Sequence, residues 1–239
     1  MIVNRLQFVT GVIVLLACLF ITGVLFGIEA LSNYSRAFIF PFFVCLYFLD
    51  SDKKNNFFAA FLIAFSTAEL IKVFWDFDYS LFSKVSNIAY IIAYLSLIIY
   101  IIQGFNLKRL IGKFKIHISI LLLFNGYIIF VLNQMILADK TIEVFTFNFL
   151  IECLYNVCIL LLLSFSLVNY LYHDSKKDLL LFLASVCIVF SEMVQVAYIF
   201  MSEQYILNVI YSVLMATGFY FMYIYMVSKM NKYYHIVSK

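Results

Sequence analysis

Three glutamates interrupt segments that are otherwise almost wholly apolar: Glu69, Glu152 and Glu192. A charge in the middle of a membrane helix costs about 2.5–3.5 kcal/mol or more, so each needs a structural or functional reason. Such carboxyls can donate and accept protons, stabilise a cation, or hydrogen-bond helices together. Each has polar company at helical spacing. Lys72 lies three residues after Glu69 and Ser66 three before it. Gln195 lies three after Glu192, and Ser191 immediately precedes it. Asn148 and Asn156 flank Glu152 four residues away on either side. Asn125 falls near the middle of another apolar run, with Asn133 and Gln134 towards its end. For the asparagines the plain reading is hydrogen bonding between helices. For Glu69 with Lys72, an ion pair near the membrane interface stands beside a functional role. Glu192 differs, because no basic residue lies within a helical turn, so its carboxyl must be either neutral or set in a hydrated cavity.

The elements that carry these residues follow from composition and the spacing of charge. Of 239 residues, 66% are apolar and 12% charged, with mean hydropathy +1.04. Soluble domains carry roughly 25% charged residues, so this chain belongs in lipid as an all-α, polytopic helix bundle. The sixteen Lys and Arg against thirteen Asp and Glu are scattered over short loops. They form no basic stripe, which excludes a nucleic-acid partner and leaves membrane lipids as the surroundings. The five cysteines lie inside apolar runs with no metal spacing, and His117, His173 and His235 sit at segment ends. Nothing here calls for a metal or a cofactor. Leu15-Leu16-Ala17-Cys18 looks like a lipoprotein cleavage site, but the apolar run continues to Ile28. An uncleaved first helix is therefore expected.

Apolar runs predict helices near 8–28, 37–50, 56–75, 86–104, 115–137, 144–172, 178–201 and 205–228, eight spans in one transmembrane domain over 1–239. The second is short, with Pro41 in its first turns, and could be re-entrant. Eight spans put Arg5, Lys53, Lys54, Lys108, Arg109, Lys113, Lys115, Lys176, Lys177, Lys229, Lys232 and Lys239 on one side. Arg36, Lys72, Lys84 and Lys140 fall on the other. Positive charge stays inside, so both termini are expected in the cytoplasm, which in a bacterium means an inner-membrane protein. At 1.5 Å per residue, this orientation sets all three glutamates in the outer half of the membrane. The short loops hold no separate domain, so any function lies among the helices.

Phe65-Ser66-Thr67-Ala68-Glu69 and Val189-Phe190-Ser191-Glu192 resemble two motifs of the YhhN family of lysoplasmalogenases. There an aspartate ends a Phe-Ser pattern in the third helix, and another follows a serine in a late helix. The Pro41 segment resembles the family's short second helix, and Ser86 to Tyr94 is similar to its Gly-x-x-x-Phe-x-x-x-His stretch. This chain has Glu69 and Glu192 for the aspartates, Ala68 for a glycine, Tyr94 for the histidine and Phe40 for a lysine. The resemblance implies cleavage of the vinyl ether of a lysophospholipid, releasing a fatty aldehyde. Enol ethers hydrolyse by protonation at carbon followed by attack of water, and two carboxyls in different settings can divide that work. Glu192 is then the expected proton donor, while Glu69, held ionised by Lys72, orients water and stabilises the cation, and the two roles could be exchanged. Lys72, Asn87, Tyr94, Asn125, Glu152, Ser191 and Gln195 are then expected to line the substrate. Two other readings stay open: a relative that binds an amphiphile without cleaving it, and a small carboxylate-dependent carrier.

Overall fold

The computed structural model describes the backbone at residues 2–50, 54–73, 79–105, 107–138, 146–200 and 205–237. Eight α-helices follow one another, with no strand among the described residues: α1 Ile2–Leu25, α2 Glu29–Asp50, α3 Asn56–Lys72, α4 Tyr79–Ile102, α5 Leu107–Ala138, α6 Phe147–His173, α7 Lys176–Phe200 and α8 Tyr205–Val237. Six contain stretches long and apolar enough to cross a membrane: Leu6–Leu25, Leu81–Ile102, Gly112–Leu137, Phe149–His173, Lys176–Tyr198 and Ile206–Val227. The chain thus has the make-up of a multi-pass membrane protein. Its outward side chains suit that solvent, as Phe8 and Leu15 on α1 and Ile116, Leu123 and Phe130 on α5 are all exposed.

The largest departure from the expected elements is α2. It starts at Glu29, eight residues before the expected 37, so Pro41 lies in mid-helix and not in the first turns. Glu29, Ser32, Asn33, Ser35 and Arg36 read as a loop because they are polar. They are helical here, with Ser35 and Arg36 buried. Proline removes one N–H and leaves the Ala37 carbonyl without its helical donor, a defect that membrane helices tolerate when neighbouring helices pack round them. The other bounds shift less. Helix α4 begins seven residues before the expected 86. Helix α5 begins at Leu107, but Phe114 is non-helical (φ −116°, ψ 27°), so the segment from 115 onward matches the expected span. Residues 74–75, at the expected end of the third helix, lie outside the described residues.

The ends of the helices have local causes. Gly27 (φ +66°) closes α1. Its N–H donates to Val24 O at 3.2 Å, and Ile28 N–H donates to Gly23 O at 2.8 Å. This is the paired bonding by which a left-handed glycine ends a helix. Asn55 caps α3, its side chain accepting from Phe57 N at 2.9 Å and Phe58 N at 3.2 Å. Between α6 and α7 the chain turns at Asp174 (φ 47°). Ser175 then caps α7: Asp178 N–H donates to its Oγ at 3.1 Å, and the Ser175 hydroxyl donates back to the Asp178 carboxylate. That reciprocal pair satisfies the start of the helix.

The helices form two compact units, Met1–Ser96 with Met222–Lys239, and Leu97–Phe221. In the first, α1 packs on α2 and α2 on α3; in the second, α5, α6 and α7 each contact the other two. Small residues set the close approaches. A Cβ on Gly23 would stand 2.7 Å from Ser32 N and 3.1 Å from Ser32 Cα, both backbone atoms that cannot step aside. A Cβ on Gly218 of α8 would meet Ile188 Cγ1 of α7 at 2.9 Å. Gly23→Ala should therefore push α1 from α2 and destabilise the protein by about 1–3 kcal/mol. The control Gly11→Ala, where nothing lies within 4 Å, should hold or raise the midpoint, since alanine favours a helix interior. Thermal unfolding in detergent compares them, and equal midpoints for the two variants would contradict this packing.

Candidate functional site

Within the first unit the polar centre is Glu69. Its side chain is fully buried on α3, and both its oxygens are engaged. Arg36 Nε of α2 lies 2.9 Å from Oε2, and the Tyr90 hydroxyl of α4 donates to Oε1 at 2.6 Å. One carboxylate thus ties three helices together. The sequence gives the reason for each contribution: Arg36 comes from the first half of α2, Glu69 from the last turn of α3, and Tyr90 from the middle of α4. Lys72, one turn beyond Glu69, sets its Nζ 4.5 Å above the centroid of the Tyr90 ring. That cation–π contact places a second positive group beside the same tyrosine.

Aromatic rings continue this centre into the core. Tyr94, one turn beyond Tyr90, stacks on it with centroids 6.1 Å apart and planes 14° from parallel. Phe65 meets Tyr90 edge-on at 5.1 Å and stacks on Phe40 at 4.1 Å. Phe61, Phe58 and Tyr47 extend the column. Each such pair contributes about 0.5–1.5 kcal/mol beyond its buried area, so the column holds Glu69 and Tyr90 in register. Asn87, three residues before Tyr90 on α4, is half-buried. Of the expected residues, Glu69, Lys72 and Tyr94 therefore gather round Tyr90, and Asn87 lies one turn along the same helix.

Within the second unit the polar centre is Glu192 on α7, which is 2% exposed. The Tyr155 hydroxyl of α6 donates to its Oε2 at 2.5 Å. Its other oxygen, Oε1, has no hydrogen-bond partner among the described residues. Ser191 beside it is fully buried; its hydroxyl donates to Ile188 O at 2.7 Å and lies 3.7 Å from Met215 Sδ of α8. Gln195, one turn on, is half-buried. On α6, Glu152 stands one turn before Tyr155 and is half-buried, while Asn156, next to Tyr155, is wholly buried. Neither the nitrogen nor the oxygen of the Asn156 amide has a partner among the described residues. The side chains of Asn148 and His235 lie outside the described ones.

Asn125 behaves as a helix fastener: its Nδ2 donates to Ser164 Oγ of α6 at 2.7 Å. Ser164 lies nine residues beyond Tyr155, about 14 Å along the helix, so Asn125 is not brought to the level of Glu192. Asn133 plays a similar part through Cys153 Sγ at 3.7 Å. At the α6–α7 turn, Asn169 Nδ2 donates to Asp178 Oδ1 at 2.9 Å, and His173 Nε2 lies 3.1 Å from Gly104 O. This end-of-helix network holds the turn.

No family model, curated protein or solved structure matches the chain.

Three residues central to these sites carry no sequence signal of their own. Arg36 sits in a polar stretch that reads as a loop, and a match to Glu69 is invisible along either helix. Tyr155 and Tyr90 are two of eighteen tyrosines; only the pairing of helices selects them. The ion pair makes a measurable claim. Both partners are buried, with side chains 9% and 0% exposed, so losing one leaves an uncompensated charge. Arg36→Met should destabilise the protein by about 3–5 kcal/mol, and adding Glu69→Gln should recover a large part of that loss. Denaturant unfolding in detergent decides it; a double variant no more stable than Arg36→Met alone would rule out the pairing.

Proposed function

We propose that this chain is a multi-span membrane hydrolase of lysoplasmalogenase type, cleaving the vinyl ether of a lysophospholipid with Glu192 as proton donor. The observation that carries the reading is the division of labour between the two oxygens of Glu192. Oε2 accepts from Tyr155 at 2.5 Å, and Oε1 faces no protein partner among the described residues. With Tyr155 on Oε2, Oε1 is the oxygen from which a proton would be delivered. The proton adds to the vinyl carbon remote from oxygen, leaving an oxocarbenium ion beside a carboxylate. Water adds to the cationic carbon and returns a proton to Glu192, and the hemiacetal collapses to aldehyde and alcohol. Burial supports this chemistry, because a poorly solvated carboxylate interacts strongly with a developing cation. The two short motifs ending in Glu69 and Glu192, and their likeness to those of the YhhN family, support the same reaction.

Glu69 takes a different part from the one its motif implies. With Arg36 and Tyr90 on its two oxygens, it serves as the fastener of α2, α3 and α4, and the acid–base work rests on Glu192. That observation also favours the second reading, an amphiphile-binding relative without hydrolysis, since one of the family's two carboxyl positions is given over to an ion pair. Aldehyde release from 1-alkenyl-2-hydroxy-glycerophosphoethanolamine, measured on purified protein in detergent, separates the two. Hydrolysis predicts turnover that falls about 10²–10⁴-fold in Glu192→Gln, the usual worth of a general acid. Wild-type release no faster than the detergent blank, with the lipid still bound, selects the second reading.

The reading includes eight crossings with both termini in the cytoplasm. Drawing Arg36 into the α2–α3 ion pair leaves Lys72, Lys84 and Lys140 on the outer side against twelve basic residues inside, which sharpens the charge rule. In a background with the native cysteines replaced, Ser175→Cys should react with a membrane-impermeant maleimide only after permeabilisation, and Thr141→Cys in intact cells. The opposite pattern would invert the topology.

A further inference from the structure

Asn156 is the polar side chain of the second unit whose burial and bonding are most at odds. It is fully buried, yet neither end of its amide meets a partner among the described residues. A buried amide left unmade is costly, and in native proteins such groups meet a water or a ligand. Its place on α6 narrows the choice. Leu154, 51% exposed, marks the outward face, and two residues on, at about 100° each, Asn156 points to the opposite side. It directly follows Tyr155, whose hydroxyl holds Glu192. One turn of α6 thus supplies both the residue that orients the proton donor and an amide with two donors and an acceptor to offer.

We infer that Asn156 is a substrate-specificity residue of the Glu192 site, and that it takes an uncharged hydroxyl: the free 2-hydroxyl of a lysophospholipid, next to the ether carbon. This rests on the proposed function for the identity of the lipid. An amide suits a hydroxyl because each can both donate and accept, whereas a phosphate would call for a cation. The hydroxyl is also what separates a lyso lipid from its 2-acylated counterpart. A site built to hydrogen-bond a substrate hydroxyl rejects an analogue lacking it, since its own buried group is then left unpaired.

The test uses two uncleavable probes on the full-length protein in detergent: 1-alkyl-2-hydroxy-glycerophosphoethanolamine and its 2-deoxy analogue. Wild type should bind the hydroxy lipid at least about tenfold more tightly, the scale of one well-made hydrogen bond. In Asn156→Leu the preference should vanish, while the thermal midpoint without lipid holds or rises, because no protein hydrogen bond is lost. Equal affinities in the wild type overturn the inference without any variant. So does a preference that survives in Asn156→Leu, or a midpoint that drops as it would for a structural hydrogen bond. These measurements do not need hydrolysis. A hydroxyl preference abolished by Asn156→Leu in a protein that releases no aldehyde would sink the reaction and keep the recognition; aldehyde release with no hydroxyl preference would do the reverse.

Discussion

The buried pair of Arg36 and Glu69, with Tyr90 closing the second carboxylate oxygen, is the constraint from which the first unit follows. Neither charge can be left alone in a low-dielectric interior, where an unpaired ion costs several kcal/mol. Helix α2 must therefore continue upstream far enough to carry Arg36 inward, α3 must present its last turn to α2, and α4 must bring a hydroxyl to the same point. Once those three helices are fixed, the rings of Phe40, Phe65, Tyr90 and Tyr94 have to stack between them. Pro41 in mid-α2 is half-buried on the same helix, where packing by neighbouring helices makes its missing hydrogen bond tolerable. Such a pair earns little net stability against an apolar substitute; what it supplies is a single register for the helices that share it.

Glu192 is handled by a different rule. Its partner is a neutral phenol and not a cation, so nothing fixes a negative charge upon it, and one oxygen is left without protein contact. A carboxylate locked by arginine is poorly suited to giving up or taking a proton, because each transfer would break the ion pair. A carboxyl held by one hydroxyl can change its protonation while the donor stays in place. The contrast leaves Glu69 as a fastener and, under the proposed function, leaves the chemistry to Glu192, although the two stand in similar motifs of Phe, Ser and Glu.

Much of the architecture was legible in the chain because lipid imposes a simple code. Apolar length located the helices, and charged clusters such as the one ending at Lys54 marked the gaps. The expected starts at 56 and 115 fall just after the cap at Asn55 and the kink at Phe114. What failed was the start of α2, for a reason that generalises: a buried ion pair makes polar residues look like loop when the partner lies on another helix. The carboxyls were legible as anomalies one by one. Lys72 could be found by spacing within α3, whereas Arg36, Tyr90 and Tyr155 could not, because contacts between helices leave no periodic trace in a single sequence. Asn125 follows the plain reading of a mid-span amide, fastening α5 to α6 through Ser164.

Polar groups inside this protein therefore fall into two kinds, and the difference is energetic. Asn125, Asn133 and Asn169 each donate to a neighbouring helix or turn, as expected of groups retained for assembly. Glu192 Oε1 and the Asn156 amide receive no such return among the described residues, so their burial lowers the stability of the fold that contains them. Selection for folding alone would replace both with leucine or methionine of similar volume, which a membrane interior accommodates without penalty. Under the proposed function, both groups are kept for a ligand at a cost in stability. Asn125 and Asn133 each leave only the amide oxygen without a hydrogen-bond partner among the described residues, whereas Asn156 leaves both ends of its amide so.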